Sequence, residues 1–445
     1  MIYLDNNATT LMPECAKQEM IKWTNHGNPS ATYPSAREAK KMMDEFRDYI
    51  AKSLGVQSCC TDRPDAADTA KRAQTIGEIA PNLYKVIFTS CGSESNCFII
   101  RCTIEAFTLR THVIPHVIVS AIEHKSIIAL VEQLERCGYC TVSRILPKMS
   151  GHILAEDVAR EIRPNTCLVS IQHANNETGA INDIAAIAAV SHKMRVPFHS
   201  DIVQSYGKIP INLVKSGIDT VSISFHKVHG APGLGALVIK EQFLCGYHLE
   251  PLSPGGGEMQ WRSGTQAPHN IAAAFAGTVF TFERMESTTR NHYTLKSELV
   301  KMLHARIPTR TFEEYMQSRK KYELECVILQ DTARPRDYLP NTILMSIAKH
   351  VGETACNSLI KQKLEDAGVI VSVSSACLSS HKGASHVLLA MNVPTIISDG
   401  VIRVSMGTET TIADIRAFVN GFLAEGIRQL QITKSGKAVR DEKNK

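Results

Sequence analysis

Lys85-Val-Ile-Phe-Thr-Ser-Cys-Gly-Ser-Glu94 is the stretch whose reading decides the fold. Its first half, Lys85 to Thr89, is a short β-branched and aromatic run that predicts a buried strand. After Gly92, the apolar residues from Glu94 to Arg110 recur at helical spacing. A strand that feeds straight into a helix is half of a βαβ unit, and the alternation repeats outward from it. Val117-Ile-Val119 predicts a strand, followed by a helix through Ile127, Leu130, Val131 and Leu134. Cys167-Leu-Val-Ser-Ile171 predicts another, followed by a helix through Ile184, Ile187 and Ala188. Thr220-Val-Ser-Ile-Ser224 and Ala236-Leu-Val-Ile239 continue the series, whereas Val196-Pro-Phe198 is too weak a signal to use alone. Residues 83 to 240 therefore read as an α/β layer with a mostly parallel sheet.

Past residue 270 the pattern changes to long helical stretches, one through Glu298, Leu299 and Leu303, with strands near Cys326-Val-Ile-Leu329 and Ile343-Leu-Met-Ser346. That predicts a second, smaller α+β domain. The segment from Gln57 to Asn82 has mixed charge and little periodicity and reads as a surface excursion. The 445 residues and 44% hydrophobic content suffice for sizeable cores and exclude a disordered or fibrous chain. The 49 Lys and Arg against 44 Asp and Glu leave +5, of which +3 falls in the tail from Thr433. There Lys434, Lys437, Arg440, Lys443 and Lys445 face Asp441 and Glu442, which reads as a solvated, frayed end rather than a nucleic-acid arm.

The 13 cysteines are odd in number and scattered, so they cannot all pair within the chain. No targeting segment and no apolar run long enough to span a membrane is visible. The expectation is a soluble, cytoplasmic protein with mostly free, buried thiols. Cys137-Gly-Tyr-Cys140 has CxxC spacing without a second pair, falls where a helix should give way to a strand, and reads as structural; no metal site is expected.

Lys227 ends Ser222-Ile-Ser-Phe-His-Lys227, directly after a buried-looking strand, where partial desolvation would lower its pKa and favour Schiff-base chemistry. Asp201 and Gln204 follow another possible strand end. A pyridoxal phosphate ring needs a carboxylate at its nitrogen, which Asp201 could supply, and Gln204 could reach the phenolate oxygen; Asp201 alone reads equally well as a loop carboxylate. Gly92 and Ser93 open a helix after a strand, so their N–H groups and the Ser93 hydroxyl could converge on a phosphate, with Ser224 and His226 completing the cup.

These residues fall in an ordered set of motifs. They run from Leu4-Asp-Asn-Asn-Ala-Thr-Thr10 and Gly27-Asn-Pro-Ser30 through Thr89-Ser-Cys-Gly-Ser-Glu-Ser-Asn96, Glu123-His124 and Ala174-Asn-Asn-Glu-Thr-Gly179. Beyond Asp201 and His226-Lys227 come Gly255-Gly-Gly257, Arg262-Ser-Gly-Thr265, Ser375-Ala-Cys377 and Ile402-Arg-Val-Ser405. In this order, over nearly the whole chain, the sequence resembles the NifS/IscS-like group I cysteine desulfurases of the class-V aminotransferase family.

The resemblance implies fold type I of the pyridoxal-phosphate enzymes: a mostly parallel seven-stranded sheet flanked by helices, with a smaller α+β domain. It implies a large domain over residues 15–265, a small one from 1–14 and 266–432 carrying the catalytic cysteine loop, and a disordered tail at 433–445. Lys227 would form the Schiff base and His124 would stack on the ring. Gly92, Ser93, Ser224 and His226 would hold the phosphate, and Thr265 would reach the phosphate of the other subunit of a homodimer. Asn176 and Arg403 would bind the substrate carboxylate, the arginine by a bidentate pair. Cys377, in a small polar stretch suited to a moving loop, would attack the sulfur of L-cysteine and carry it as a persulfide to an acceptor, an iron–sulfur scaffold or a tRNA-thiolation carrier.

Several positions depart from the family pattern. Ser374 and Thr408 replace a usual Gly and a second Arg, Tyr33 replaces a usual His, and Glu258-Met-Gln-Trp261 is one residue short. Cys377-Leu-Ser-Ser-His381 and Val387-Leu-Leu389 are similar to selenocysteine lyases, which keeps that activity as the alternative. A pyridoxal-phosphate fold retained for protein interaction is a third reading.

Overall fold

The apolar runs of the first half become strands buried on both faces. A computed structural model of the chain describes residues 1–59, 80–318, 324–349, 355–373 and 385–441. Its first nine strands are β1 (Ile2–Tyr3), β2 (Gln57–Ser58), β3 (Leu83–Thr89), β4 (His116–Ser120), β5 (Thr141–Ile145), β6 (Thr166–Ser170), β7 (Phe198–Asp201), β8 (Thr220–Ser224) and β9 (Gly235–Lys240). One sheet takes the order β2-β3-β9-β8-β7-β6-β4-β5, with β9 antiparallel to both its neighbours and the other pairings parallel. Against the seven strands expected, this sheet has eight. The extra one is β2, at the start of the supposed excursion, where two polar residues pair with Leu83 and Tyr84. Residues 60–79, most of that excursion, lie outside the described residues.

Side chains alternate across the sheet, and both faces are apolar. Val86 and Phe88 of β3 and Ala236 and Val238 of β9 enter one core; Ile87, Leu237 and Ile239 enter the other. Such two-sided burial is why these strands read as continuous apolar runs rather than as polar-apolar alternation. Phe46, from the helix Pro34–Ser53, sits at the centre of the first core, its ring 5.6 Å from Phe88, 5.0 Å from Phe225 and 4.9 Å from Phe275. The helix Gly92–Thr111 covers the other face through Phe98, Ile99 and Cys102.

The later strands are β10 (Thr309–Thr311), β11 (Leu324–Ile328), β12 (Thr342–Lys349), β13 (Val369–Ile370), β14 (Ser372–Val373) and β15 (Ile402–Ser405). They form a five-stranded sheet of order β10-β11-β12-β15-β14 and a small pair of β13 with β1. A 37-residue helix, Pro268–His304, joins the two regions: Ile271, Ala272 and Ala274 pack in the first core, Leu295, Leu299 and Leu303 in the core of the second sheet. Proline opens it, where a missing N–H costs nothing. It lies so close to the loop after Lys227 that a Cβ on Gly277 would meet His229 O at 2.4 Å, and one on Gly230 would meet Ala274 Cα at 2.9 Å.

Residues 433–441 of the basic tail continue the helix Ile412–Asp441, in keeping with the good helix propensity of Lys and Arg, and residues 442–445 lie outside the described residues. Among the described residues no helix is long and apolar enough to cross a membrane. Of the described thiols Cys102, Cys140, Cys167, Cys245 and Cys326 are buried, but Cys15, Cys137 and Cys356 are exposed, so burial is less general than expected. Phe46 is fully buried, and Phe46→Ala is expected to cost about 3–5 kcal/mol. A lower urea midpoint with an unchanged denaturant slope would register that loss.

Candidate active site

Every parallel strand of the large sheet points its carboxyl end at one side, the usual place for a ligand in such sheets. β7 ends on Asp201, β8 leads through Phe225–Lys227, β3 leads into the helix Gly92–Thr111, and β4 leads to His124. These ends open on a cavity of about 620 Å³. Its wall brings together Gly92, Ser93, His124, Asn176, Asp201, Gln204, Ser224, His226, Lys227 and Arg403. Thr265 is not in that wall; it is exposed in the loop after the Gly255–Gly257 triplet. Cys377 and Ser374 lie outside the described residues, although Val373, which precedes them, lines the cavity.

Lys227 donates to two backbone carbonyls, Asn7 O at 2.7 Å and Ala8 O at 2.6 Å. Burial, with the Arg403 guanidinium nearby, lowers its pKa to about 8, while Asp5 and Asp201 oppose the shift. Asp201 Oδ2 accepts from Asn96 Nδ2 at 2.8 Å and its Oδ1 from the Val203 N–H at 2.9 Å, so the carboxylate is held on both sides. Gln204 Nε2 donates to Asn7 O at 3.0 Å and its Oε1 accepts from Lys208 at 2.9 Å. His226 is fixed by Thr9 and Thr10, and burial lowers its pKa to about 4, so it enters as a neutral ring.

Arg403 is partly engaged already. Its Nη2 pairs with Asp5 Oδ1 at 2.7 Å and its Nη1 donates to Asn176 O at 2.9 Å, leaving Nε buried and without a partner. A ligand carboxylate would therefore meet competition from Asp5. The shortened loop is firmly anchored: Glu258, Met259 and Gln260 all have positive φ, a costly run for residues with side chains. Glu258 offsets that cost from the interior, where its carboxylate accepts from Arg47 at 2.8 Å and from the Phe88 N–H at 2.6 Å. Thr408 faces His229 Nε2 at 3.4 Å, and the Tyr33 hydroxyl accepts from the Asn28 N–H at 2.8 Å.

Residues 71–418 match the profile of the aminotransferase class-V family. The chain belongs to that family. Relatives similar to it include the cysteine desulfurase IscS of Dictyoglomus turgidum, 31% identical over 93% of this chain and 91% of the relative. A cysteine desulfurase of Cereibacter sphaeroides is 30% identical over 93% of this chain and 92% of its own. Among solved structures, a NifS-like protein superposes with a TM-score of 0.74 at 28% identity, covering 95% of this chain and 98% of the other. The NifS-like protein of Rickettsia africae gives 0.73 at 27% identity, covering 95% and 99%.

Against this class-V frame, sequence reasoning missed the residues that hold the site rather than face a ligand. Asn7 and Asp5 lie within a quoted motif but had no assigned role. Asn96 stands one helical turn beyond Ser93, a spacing that points to the same face. Cys91, which also lines the cavity, carried no signal beyond its neighbours. In protein freed of any bound aldehyde, acetylation of Lys227 followed by mass spectrometry is expected to show a midpoint near the pH of about 8 set by its surroundings. Exposed lysines should react with midpoints about two units higher.

Proposed function

We propose that the protein is a pyridoxal-phosphate-dependent cysteine desulfurase that converts L-cysteine to L-alanine and holds the sulfur as a persulfide on Cys377. The observation that carries this reading is a single cavity wall containing Lys227, Asp201 and the Gly92–Ser93 helix start. The donor set fits the cofactor. Gly92 and Ser93 begin a 20-residue helix whose free N–H groups suit a phosphate, with Ser224 and His226 beside them. The cradle has no room for a side chain: a Cβ on Gly92 would meet Val203 Cγ2 at 2.8 Å. Asp201 suits a protonated ring nitrogen, and Lys227 with its lowered pKa suits the aldehyde.

When bound, pyridoxal phosphate supplies the electron sink for the charge left as the substrate Cα loses its proton. Asp201 would keep the ring nitrogen protonated, and Lys227 Nζ would take the Cα proton and return it once the sulfur has left, so that alanine regains its Cα–H. Asn176 and the Arg403 guanidinium would hold the substrate carboxylate, the arginine giving up its contact with Asp5 to do so. The Cys377 thiolate then attacks the substrate sulfur; an S–S bond forms, the Cβ–S bond breaks, and the electron pair left on Cβ takes up a proton to become the methyl group of alanine. Cys377 follows Val373 by four residues, close in sequence to the cavity wall.

The same reading includes a cytoplasmic homodimer in which Thr265 completes the partner's phosphate site, and the domain division at residues 14 and 265 described above. The sulfur acceptor is an iron–sulfur scaffold or a tRNA-thiolation carrier. Purified protein with L-cysteine and a reductant is expected to release alanine and to show the visible absorbance of bound cofactor. Lys227→Ala should remove both, and Cys377→Ala should lower alanine release from cysteine by about 10²-fold or more. Alanine from L-selenocysteine but not from L-cysteine would move the assignment to a selenocysteine lyase. Parent-level turnover by Cys377→Ala would refute the persulfide step.

A further inference from the structure

Two side chains beside the cavity have no part in the reaction described so far, yet they join two residues that do. Asn96 is 1% exposed in the helix Gly92–Thr111. Its Nδ2 gives one hydrogen to Asp201 Oδ2 at 2.8 Å and the other to Ser126 Oγ at 3.1 Å. Because a carboxylate only accepts, the amide nitrogen must face Asp201, which fixes the orientation of the whole group. Asn96 Oδ1 is left buried without a protein partner. Ser126 Oγ, already an acceptor, has its own hydrogen free for His124 Nδ1, 2.8 Å away. The Ser126 backbone N–H donates to the same Nδ1 at 3.2 Å.

His124 Nδ1 thus accepts twice and carries no proton. The proton of the neutral ring sits on Nε2. Charging the ring would require a proton on Nδ1, directly opposed to two donors. We propose that Asn96 and Ser126 are positioning residues that lock His124 in the Nε2-protonated tautomer and couple its protonation to the charge of Asp201. The inference rests on the reading above, in which His124 and Asp201 both meet the cofactor ring. It adds that the two are connected through one amide and one hydroxyl. Both hydrogens of that amide are in use, so turning it toward either partner abandons the other.

The surroundings agree in sign. His124 is exposed to the open cavity, yet partial desolvation by the surrounding wall lowers its basicity; Lys227, His386 and Lys125 act in the same direction, and Asp201 alone among the facing charges opposes them. A chain of donors ending on Nδ1 adds to that side of the balance. Losing it should raise the His124 pKa. With Ser126→Ala one acceptor bond of the neutral ring disappears. With Asn96→Ala, Ser126 Oγ can turn a lone pair toward a protonated Nδ1, and the Asp201 carboxylate loses a competing donor.

The test is a histidine nitrogen NMR titration on full-length protein freed of cofactor. The parent should show His124 with an acceptor-type Nδ1 and a protonated Nε2. Ser126→Ala and Asn96→Ala should each raise its midpoint by about 0.5–1 pH unit. If the groups act in series, the double variant should shift no further than the larger single one. Ser126→Thr keeps the hydroxyl and should titrate like the parent, and His226, which is not in the chain, should be unmoved in all. An unchanged midpoint in Asn96→Ala, fully additive shifts, or an Nδ1-protonated parent ring would overturn the proposal. Failure of the desulfurase reading would appear instead as absent alanine release, with this titration unaffected.

Discussion

Asn7 ties the two halves of the molecule together at the floor of the cavity. Its carbonyl accepts from Lys227 at 2.7 Å and from Gln204 at 3.0 Å. Its side chain accepts from Lys208 at 3.1 Å and Asn341 at 3.0 Å, and donates to Thr342 at 2.8 Å and Asn176 O at 3.2 Å. Its N–H reaches Ser405 Oγ at 3.0 Å. These partners follow β6, β7 and β8 of the large sheet or border β12 and β15 of the second. A neutral amide suits the task because it donates and accepts at once without adding charge. Each buried polar group left unpaired would cost about 1–3 kcal/mol, so the site depends on this short N-terminal stretch.

The cavity is also a place of unbalanced charge. Lys227 and Arg403 line it from the cationic side with Lys208 behind them, and Asp5 and Asp201 stand against them. Lys208 is half-buried and meets the amides of Asn7 and Gln204, and desolvation, then Lys227 and Arg403, drives its pKa well down. Each cation makes its neighbours easier to deprotonate, which suits an amine that must react as a neutral base. An entering phosphate or carboxylate relieves the same crowding. The chemistry of Lys227 and the taste of the cavity for anions therefore share one electrostatic cause.

Glu123, next to His124, is a brace rather than a second charge. Fully buried, its carboxyl is pushed up to about 8 by desolvation, despite accepting from Ser120 and from the Gln172 N–H at 3.0 Å. A protonated acid can hold the turn before His124 without drawing a proton onto that ring. The same shoulder receives the segment that begins at Ser385: its hydroxyl donates to Glu177 Oε2 at 2.7 Å, and His386 Nε2 lies 2.9 Å from Glu123 O. Residues on both sides of the stretch bearing Cys377 are thus fastened around the cavity, Val373 in its wall and His386 behind His124.

The sequence by itself determined the alternating strands and helices, because a strand buried on both faces must be apolar throughout and Lys85 to Thr89 or Ala236 to Ile239 can hardly be anything else. It also placed Lys227 and Gly92 just past clear apolar runs, whereas the strand that carries Asp201 was too weak a signal to read by itself. What only the tertiary structure decided is how those groups are held. β2 is two polar residues whose pairing depends on a partner 26 positions away, and no local pattern encodes it. The same holds for Asp5 on Arg403, Asn96 between Asp201 and Ser126, and Asn7 among all its partners. A hydrogen bond across distant parts of a chain leaves no periodicity in the sequence; it exists only once the fold has brought donor and acceptor within about 3 Å.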